Sequence, residues 1–300
     1  MDVSLLISRG GEPIEIQLAL AEAADAHGLY GTWYGQHLRY DSATLATMAG
    51  HRTESLVIGS GVIPAYPRHP VTLATQALTI DIATDHRFRL GVGPSHRRTI
   101  EGIYGLEYRS PARYLEEYLT VLRQLIHDRE SDFEGEYFSV HAKLDQPEAE
   151  SDIPIFTGSL GPRALEVSGR LADGNLTYLA GPRTIAEHVI PRLADGAAAA
   201  GRELPRVAAA VPVMVTSDLR AAGAALEGYM DFHTSIDVYR AVIERERVES
   251  PAELAIVGDA ETVRAGIDRF REVGVVEFTA AIFGTTEDKL RTIEVLGTID

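Results

Sequence analysis

Cysteine is absent from the 300-residue chain, and disulfides, thiolate metal sites and cysteine nucleophiles are excluded with it. No window reaches the roughly eighteen consecutive apolar residues of a membrane span. The opening stretch, MDVSLLISRGGEPIEI, carries neither a basic leader nor a long apolar core, so a cytoplasmic protein with no membrane partner is expected. Basic residues are scarce: 28 lysines and arginines face 44 carboxylates, a formal net charge of −16. Nucleic acid needs a basic surface and is not an expected partner, whereas a phosphorylated small molecule needs only a few local donors. None of the 10 histidines stands in H-x-H or H-x-x-x-H spacing, which argues against a catalytic metal, and no metal ligand is assigned. The G-x-S-x-G of a serine hydrolase is missing. No G-x-G-x-x-G follows the first apolar run, which removes the fingerprint of a doubly wound dinucleotide fold.

What the chain has is alternation. With 45% hydrophobic and 24% charged residues it can bury a large core. Strand-like apolar runs fall at Asp2–Ile7, Leu29–Tyr34, Leu56–Ile58, Phe88–Val92, Ile153–Thr157, Asp173–Leu179, Val207–Val215 and Val275–Ile282. Between them the spacing predicts helices over Pro13–His27, Ser42–Thr53 with Ser42 as cap, Pro70–Asp85, Pro111–Ile126 and Pro162–Arg170. Another is capped by Thr184, kinked by Pro191 and stopped by Gly201; Ala260–Val273 and Glu287–Val295 complete the set. Eight such pairs predict an α/β fold, a (β/α)8 TIM barrel forming one domain over residues 1–300. Two insertions interrupt it: 131–151, read as a hairpin around Glu134-Gly135 and a candidate lid, and the irregular helical stretch 217–251.

A barrel of this kind carries its chemistry at the C-terminal strand ends. Ser55–Pro70, SLVIGSGVIPAYPRHP, is one such end: a buried strand, then Gly59 and Gly61 around Ser60, where positive φ or close approach of a flat ligand is allowed, then Pro70 opening a helix. A proline-rich connection with no ligand is the other reading. In Thr157-Gly158-Ser159-Leu160-Gly161-Pro162-Arg163, free amides and a helix N-terminus would favour an anion, with Arg163 adding charge; a plain turn is the alternative. His37, closing the second strand, has the chemistry of a general acid or base, or is a solvent-facing loop residue. His37, His69 and His96 all follow strands, the one arrangement in which a metal would be sought.

These stretches resemble the luciferase-like oxidoreductase superfamily, especially its branch that uses the deazaflavin coenzyme F420. The likeness lies in Gly59-Ser60-Gly61-Val62 with Arg68-His69-Pro70, in Leu90-Gly91-Val92-Gly93, in the Gly158–Arg163 loop and in GRLADGNLTY after it. It implies an F420-dependent oxidoreductase moving a hydride between the deazaflavin C5 and a small organic substrate, with a homodimeric assembly. It implies a non-prolyl cis peptide at Gly61-Val62 supporting the ring. The coenzyme would lie along Ser60, Gly61, Val62, Gly93 and Ser95, with its phosphate on Gly158, Ser159, Leu160, Gly161 and Arg163. His37 would stand beside the ring as the catalytic residue, although Gln36 occupies a place that is acidic in some relatives. FMN-dependent monooxygenation is the alternative chemistry, and a flavin-binding barrel without turnover the alternative class.

Overall fold

The computed structural model describes residues 1–7, 12–145, 152–234 and 236–299. In chain order the strands are β1 (Asp2–Ile7), β2 (Gly31–Tyr34), β3 (Val57–Ser60), β4 (Ile63–Pro64), β5 (Phe88–Gly93), β6 (Glu130–Glu134), β7 (Ser139–Lys143), β8 (Ile155–Thr157), β9 (Gly174–Tyr178), β10 (Arg206–Val215), β11 (Ile256–Gly258) and β12 (Glu277–Ile282). The helices are α1 (Ile14–Ala26), α2 (Ser42–Arg52), α3 (Pro70–Ala83), α4 (Arg97–Gly102), α5 (Pro111–Arg123), α6 (Pro162–Leu171), α7 (Pro182–Thr184), α8 (Ile190–Ala199), α9 (Leu219–Thr234), α10 (Asp237–Glu246), α11 (Ala260–Glu272) and α12 (Thr286–Leu296). Eight parallel strands close in the order β10-β12-β1-β2-β3-β5-β8-β9 and back to β10. The expected (β/α)8 barrel is therefore present, and β11 extends it beside β10. No helix of the described residues is long and apolar enough to cross a membrane.

The barrel interior is filled by pairing very large with very small side chains. A Cβ on Gly59 would stand 2.4 Å from the Trp33 ring, and one on Gly174 would stand 2.1 Å from Phe156. The two rings meet edge to face with centroids 5.1 Å apart. Gly59 is thus glycine because the indole lies on it, a correction to its expected ligand-facing role. Neither Gly59 nor Gly61 takes positive φ. Ala208, Ala210 and Ala281 leave room in the same interior cluster for Leu6 and Leu176.

Two expected caps move. Asp41, not Ser42, caps α2 by accepting from the Thr44 amide at 2.9 Å. The helix around Thr184 starts earlier, at Pro182 after Gly181, and the Thr184 amide donates to Glu246 instead. Pro191 has no N–H to give to the preceding turn, and residues Ile185–Val189 form a π-helical turn before α8 continues to Ala199. Gly201 follows at φ +64, the left-handed stop expected of it. The hairpin also forms, with Phe133 opposite Val140 in the β6–β7 pair. Its turn is anchored from below by Glu117 of α5, whose buried carboxylate accepts from the amides of Glu136, Tyr137 and Phe138 at 3.0, 2.8 and 3.4 Å.

Candidate active site

A cavity of about 1210 Å³ opens at the C-terminal ends of the barrel strands. Its floor is Leu6, Gly61, Val62, Leu176 and Ala210. The peptide between Gly61 and Val62 is cis, as the resemblance implied. Val62 is seated among three glycines of two neighbouring strand ends, those of β5 and β8. A Cβ on Gly91 would lie 2.9 Å from Val62 Cγ1, one on Gly93 2.9 Å from Cγ2 and one on Gly158 2.6 Å from Cγ2. Gly93 and Gly158 meet the valine first, whereas a Cβ on Gly91 would strike the Ser60 carbonyl before it, at 2.0 Å; sequence inspection alone could not make those pairings.

Ser60 does not line the cavity. It is fully buried, donating from its hydroxyl to the Gly91 carbonyl at 3.1 Å and accepting from the Gly91 amide at 2.9 Å. Its hydrogen-bonding capacity is spent clasping β3 to β5 beneath the Gly61-Val62 peptide. Gly93 and Ser95 both line the wall, Ser95 at φ +60 with its carbonyl accepting from the Tyr108 hydroxyl at 3.0 Å.

At one end of the cavity stands the α6 N-terminus. Leu165 makes the first intrahelical bond, to the Gly161 carbonyl at 2.9 Å, and Pro162 occupies the first helical position. The amides of Arg163 and Ala164 ahead of it have no intrahelical acceptor, the usual state of a helix start. Gly161 contributes no capping side chain. Ser159, only 3% exposed, brings a buried hydroxyl without a partner among the described residues. Gly158, Ser159, Leu160, Gly161 and Arg163 all line this end. The Leu160 carbonyl is turned outward, accepting from His188 Nε2 at 2.9 Å. Burial lowers the His188 imidazole below its ordinary value, against the Leu160 hydrogen bond that favours the charged form. Donors without acceptors and an unsatisfied hydroxyl are what an anion would satisfy.

His37 and Gln36 lie on the rim after β2. Gln36 is fully engaged: its Nε2 donates to the carbonyls of His37 at 2.9 Å and Tyr40 at 3.5 Å, and its Oε1 accepts from the Ser42 amide and hydroxyl at 3.1 and 2.9 Å. An amide can donate and accept at once; an ionised carboxylate only accepts. The glutamine is thus the brace of the loop that carries His37.

The other two histidines part company. His69 caps α3 through Nδ1, which accepts from the Val71 amide at 3.3 Å, and it does not line the cavity. His96 does, packed 5.8 Å from the Tyr239 ring, with burial lowering its pKa. No group of three potential metal ligands occurs among the described residues. The hairpin is not a wall of the cavity: none of residues 131–145 lines it, and Tyr137 and Phe138 instead pack on Tyr114. Residues 146–151 of the expected lid lie outside the described residues. Sequence reasoning missed Tyr178 and Tyr239, which line the cavity from β9 and α10. A tyrosine closing a barrel strand was a usable signal for the first; nothing local marks the second.

The model of the luciferase-like monooxygenase family matches residues 2–277. The chain is 26% identical to the 5,10-methylenetetrahydromethanopterin reductase of Methanopyrus kandleri, over 93% of this chain and 91% of the relative. It is 34% identical to the F420-dependent glucose-6-phosphate dehydrogenase of Microbacterium testaceum, over 51% of this chain and 47% of that one. The solved structure of the Methanopyrus kandleri coenzyme F420 dependent tetrahydromethanopterin reductase shares the fold with a TM-score of 0.85 at 23% identity, covering 99% of this chain and 97% of that one. An F420-dependent secondary alcohol dehydrogenase, solved with an F420-acetone adduct, does so with a TM-score of 0.85 at 19% identity, covering 100% and 98%. With nearly the whole chain matched, and a cavity where such barrels place their chemistry, this chain belongs to the luciferase-like monooxygenase family.

Proposed function

We propose that the chain is an F420-dependent oxidoreductase that transfers a hydride between the deazaflavin C5 and a small organic substrate. The observation that carries the reading is Ser159, a buried, unpartnered hydroxyl beside the open amides of α6 at one end of a cavity whose floor is the Gly61-Val62 peptide. That end suits the phosphate of a coenzyme, held by Gly158, Ser159, Leu160, Gly161 and Arg163. The smooth surface of Gly61, Val62 and Gly93 suits a flat ring, and Ser95 the polyol between. Full-length likeness to F420-dependent enzymes in sequence and fold supports the same choice.

Once bound, a deazaflavin supplies a carbon that gives or takes a hydride and does not readily activate oxygen. The chain's own residues do the rest. The α6 amides and Ser159 bind the anion, Val62 fixes the face against which the ring rests, and the apolar floor of Leu6, Leu176 and Ala210 excludes water. His37 holds or accepts a proton at its imidazole, with its backbone steadied by Gln36. A homodimer is the assembly inferred from the family likeness, and light scattering on the purified protein reads it directly.

Titration of the purified protein with F420 and, separately, with FMN tests the assignment through quenching of ligand fluorescence. Micromolar saturation by F420 with negligible FMN binding is expected. The reverse preference overturns the deazaflavin reading and moves the chemistry to oxygen-dependent monooxygenation.

A further inference from the structure

Leu160, in the loop that leads into α6, is gripped twice. Its carbonyl accepts from His188 Nε2 at 2.9 Å, and its side chain packs against the apolar cluster that holds Leu179, Tyr239 and Phe283. The Leu160-Gly161 peptide is trans, so the Leu160 carbonyl and the Gly161 N–H point in opposite directions. Leu160 and Gly161 line the cavity, and His188 does not. A carbonyl drawn outward to His188 therefore turns the Gly161 N–H inward. That amide has no backbone acceptor among the described residues. It stands two residues from the buried, unpartnered Ser159 hydroxyl and just ahead of the open amides of Arg163 and Ala164.

The imidazole is held in place by the frame behind it. Pro191 cannot donate to the turn before it, and the π-helical turn over Ile185–Val189 carries His188. The helix that continues from this turn, α8, lies backbone to backbone on α6. A Cβ on Gly169 would stand 2.2 Å from the Leu193 carbonyl oxygen, and one on Gly196 2.1 Å from the Glu166 carbonyl oxygen. Contact this close fixes the distance between the turn and the start of α6. The turn is also tied to α10, where the Glu246 carboxylate accepts from the Thr184 amide at 2.5 Å. Because a carbonyl only accepts, Nε2 carries the proton in the contact with Leu160. Burial, and after it the charges of Arg245 and Arg192, disfavour the imidazolium. His188 is thus a neutral donor on a rigid support.

We infer that His188 is a positioning residue for the coenzyme phosphate: by holding the Leu160 carbonyl outward, it keeps the Gly161 amide aimed at the phosphate oxygens. The inference rests on the reading above of the α6 end as the phosphate site. Without a donor at position 188 the Leu160-Gly161 peptide can turn over, and Gly161, lacking a Cβ, does little to prevent it. The anion would then meet a carbonyl oxygen where it had met an N–H. Donors fixed in advance cost no ordering when the ligand arrives, which is how a residue that never touches the ligand governs its affinity.

The test titrates the unsubstituted protein and its His188→Gln and His188→Leu variants with F420, with inorganic phosphate, and with a deazaflavin that keeps ring and polyol but lacks the phosphate. Glutamine retains an N–H that can reach the Leu160 carbonyl; leucine keeps the bulk and donates nothing. His188→Leu is expected to weaken F420 and phosphate about fivefold and His188→Gln no more than about twofold, the loss of one neutral hydrogen bond and its rescue. The phosphate-free deazaflavin should bind all three proteins equally. Amide-resolved NMR of the unsubstituted protein needs no variant, and there phosphate should move the Gly161 amide proton downfield. Unchanged F420 and phosphate affinity in His188→Leu, equal weakening in both variants, parallel loss of the phosphate-free deazaflavin, or a Gly161 amide indifferent to phosphate overturns the inference while leaving the coenzyme assignment intact. Failure of the unsubstituted protein to bind F420 removes the coenzyme assignment and this inference with it.

Discussion

Arg89 and Glu277, 188 residues apart in the chain, form a buried two-point ion pair inside the barrel, with guanidinium-to-carboxylate distances of 2.5 and 2.8 Å. The same carboxylate accepts from the Trp33 indole at 2.8 Å, and the guanidinium lies 3.8 Å from the centre of that ring. Three strands, β2, β5 and β12, are thereby tied through one polar knot among apolar neighbours. Removing one partner strands the other charge away from water. Glu277→Ala is expected to destabilise the protein by about 3 kcal/mol or more, read from the midpoint of urea unfolding. Loss of less than about 1 kcal/mol would show that water or another side chain satisfies Arg89 in the variant.

Val62 and Gly158 make a second exchange of size across strand ends. A methyl group on Gly158 would lie 2.6 Å from Val62 Cγ2. Gly158→Ala is expected to push Val62 off its seat, weakening F420 binding about tenfold and lowering stability. Val62→Ala in the same chain removes the clashing methyls, so the two changes should couple favourably by about 1 kcal/mol in a double-mutant cycle of unfolding. Strict additivity would mean that the two side chains do not meet.

The barrel itself was legible because each strand buried on both faces reads as a continuous apolar run, and helical spacing between the runs is unambiguous. The helix start at the cavity's edge was legible for a related reason: Gly158, Gly161 and Pro162 stand within seven residues of one another. What was not legible depends on distant partners. Gly59 read as a ligand-facing glycine, yet its partner is Trp33 on the next strand. The hairpin read as a lid, yet a single buried carboxylate, Glu117, holds its turn away from the cavity. Gln36 read as a missing acid, and only its four hydrogen bonds reveal a brace. Ser42 against Asp41 as helix cap is a smaller matter, an offset of one residue between two good capping types.

Stability should fall in acid in two stages. His96, His127 and His188 are all lowered from the ordinary histidine value of 6.5, chiefly by burial. Below 6.5 the unfolded chain takes up protons that the folded chain refuses, so unfolding becomes easier as pH drops towards the lowered values. The second stage lies below 3.8. Burial tends to raise Asp41, but the Thr44 amide and the Arg68 charge hold it below its ordinary value, and that contribution is lost as the carboxyl protonates. His141 works in the opposite sense, since Glu134 and Asp132 raise it and its contribution fades as pH rises through the raised value. Urea midpoints measured from roughly pH 2 to 8 should therefore decline below 6.5 and again below 3.8, and His96→Gln should flatten the first limb. A decline unaltered by His96→Gln would assign the first stage to the other two histidines.

Gln36 and His37 give the sharpest expectation about turnover. If His37 moves a proton in the reaction, His37→Ala should lower kcat by about a hundredfold or more with F420 affinity little changed. Gln36→Glu keeps size and shape but loses both donations, to the His37 and Tyr40 carbonyls, and sets a carboxylate against those two oxygens. A smaller fall in kcat, about tenfold, is expected, together with a shift of the pH–rate profile as the imidazole feels the new charge. Because the glutamine acts by holding the histidine's backbone, the double variant should be no slower than His37→Ala alone. Full additivity of the two losses, measured as kcat under saturating F420, would separate Gln36 from His37 and leave the brace with a purely structural role.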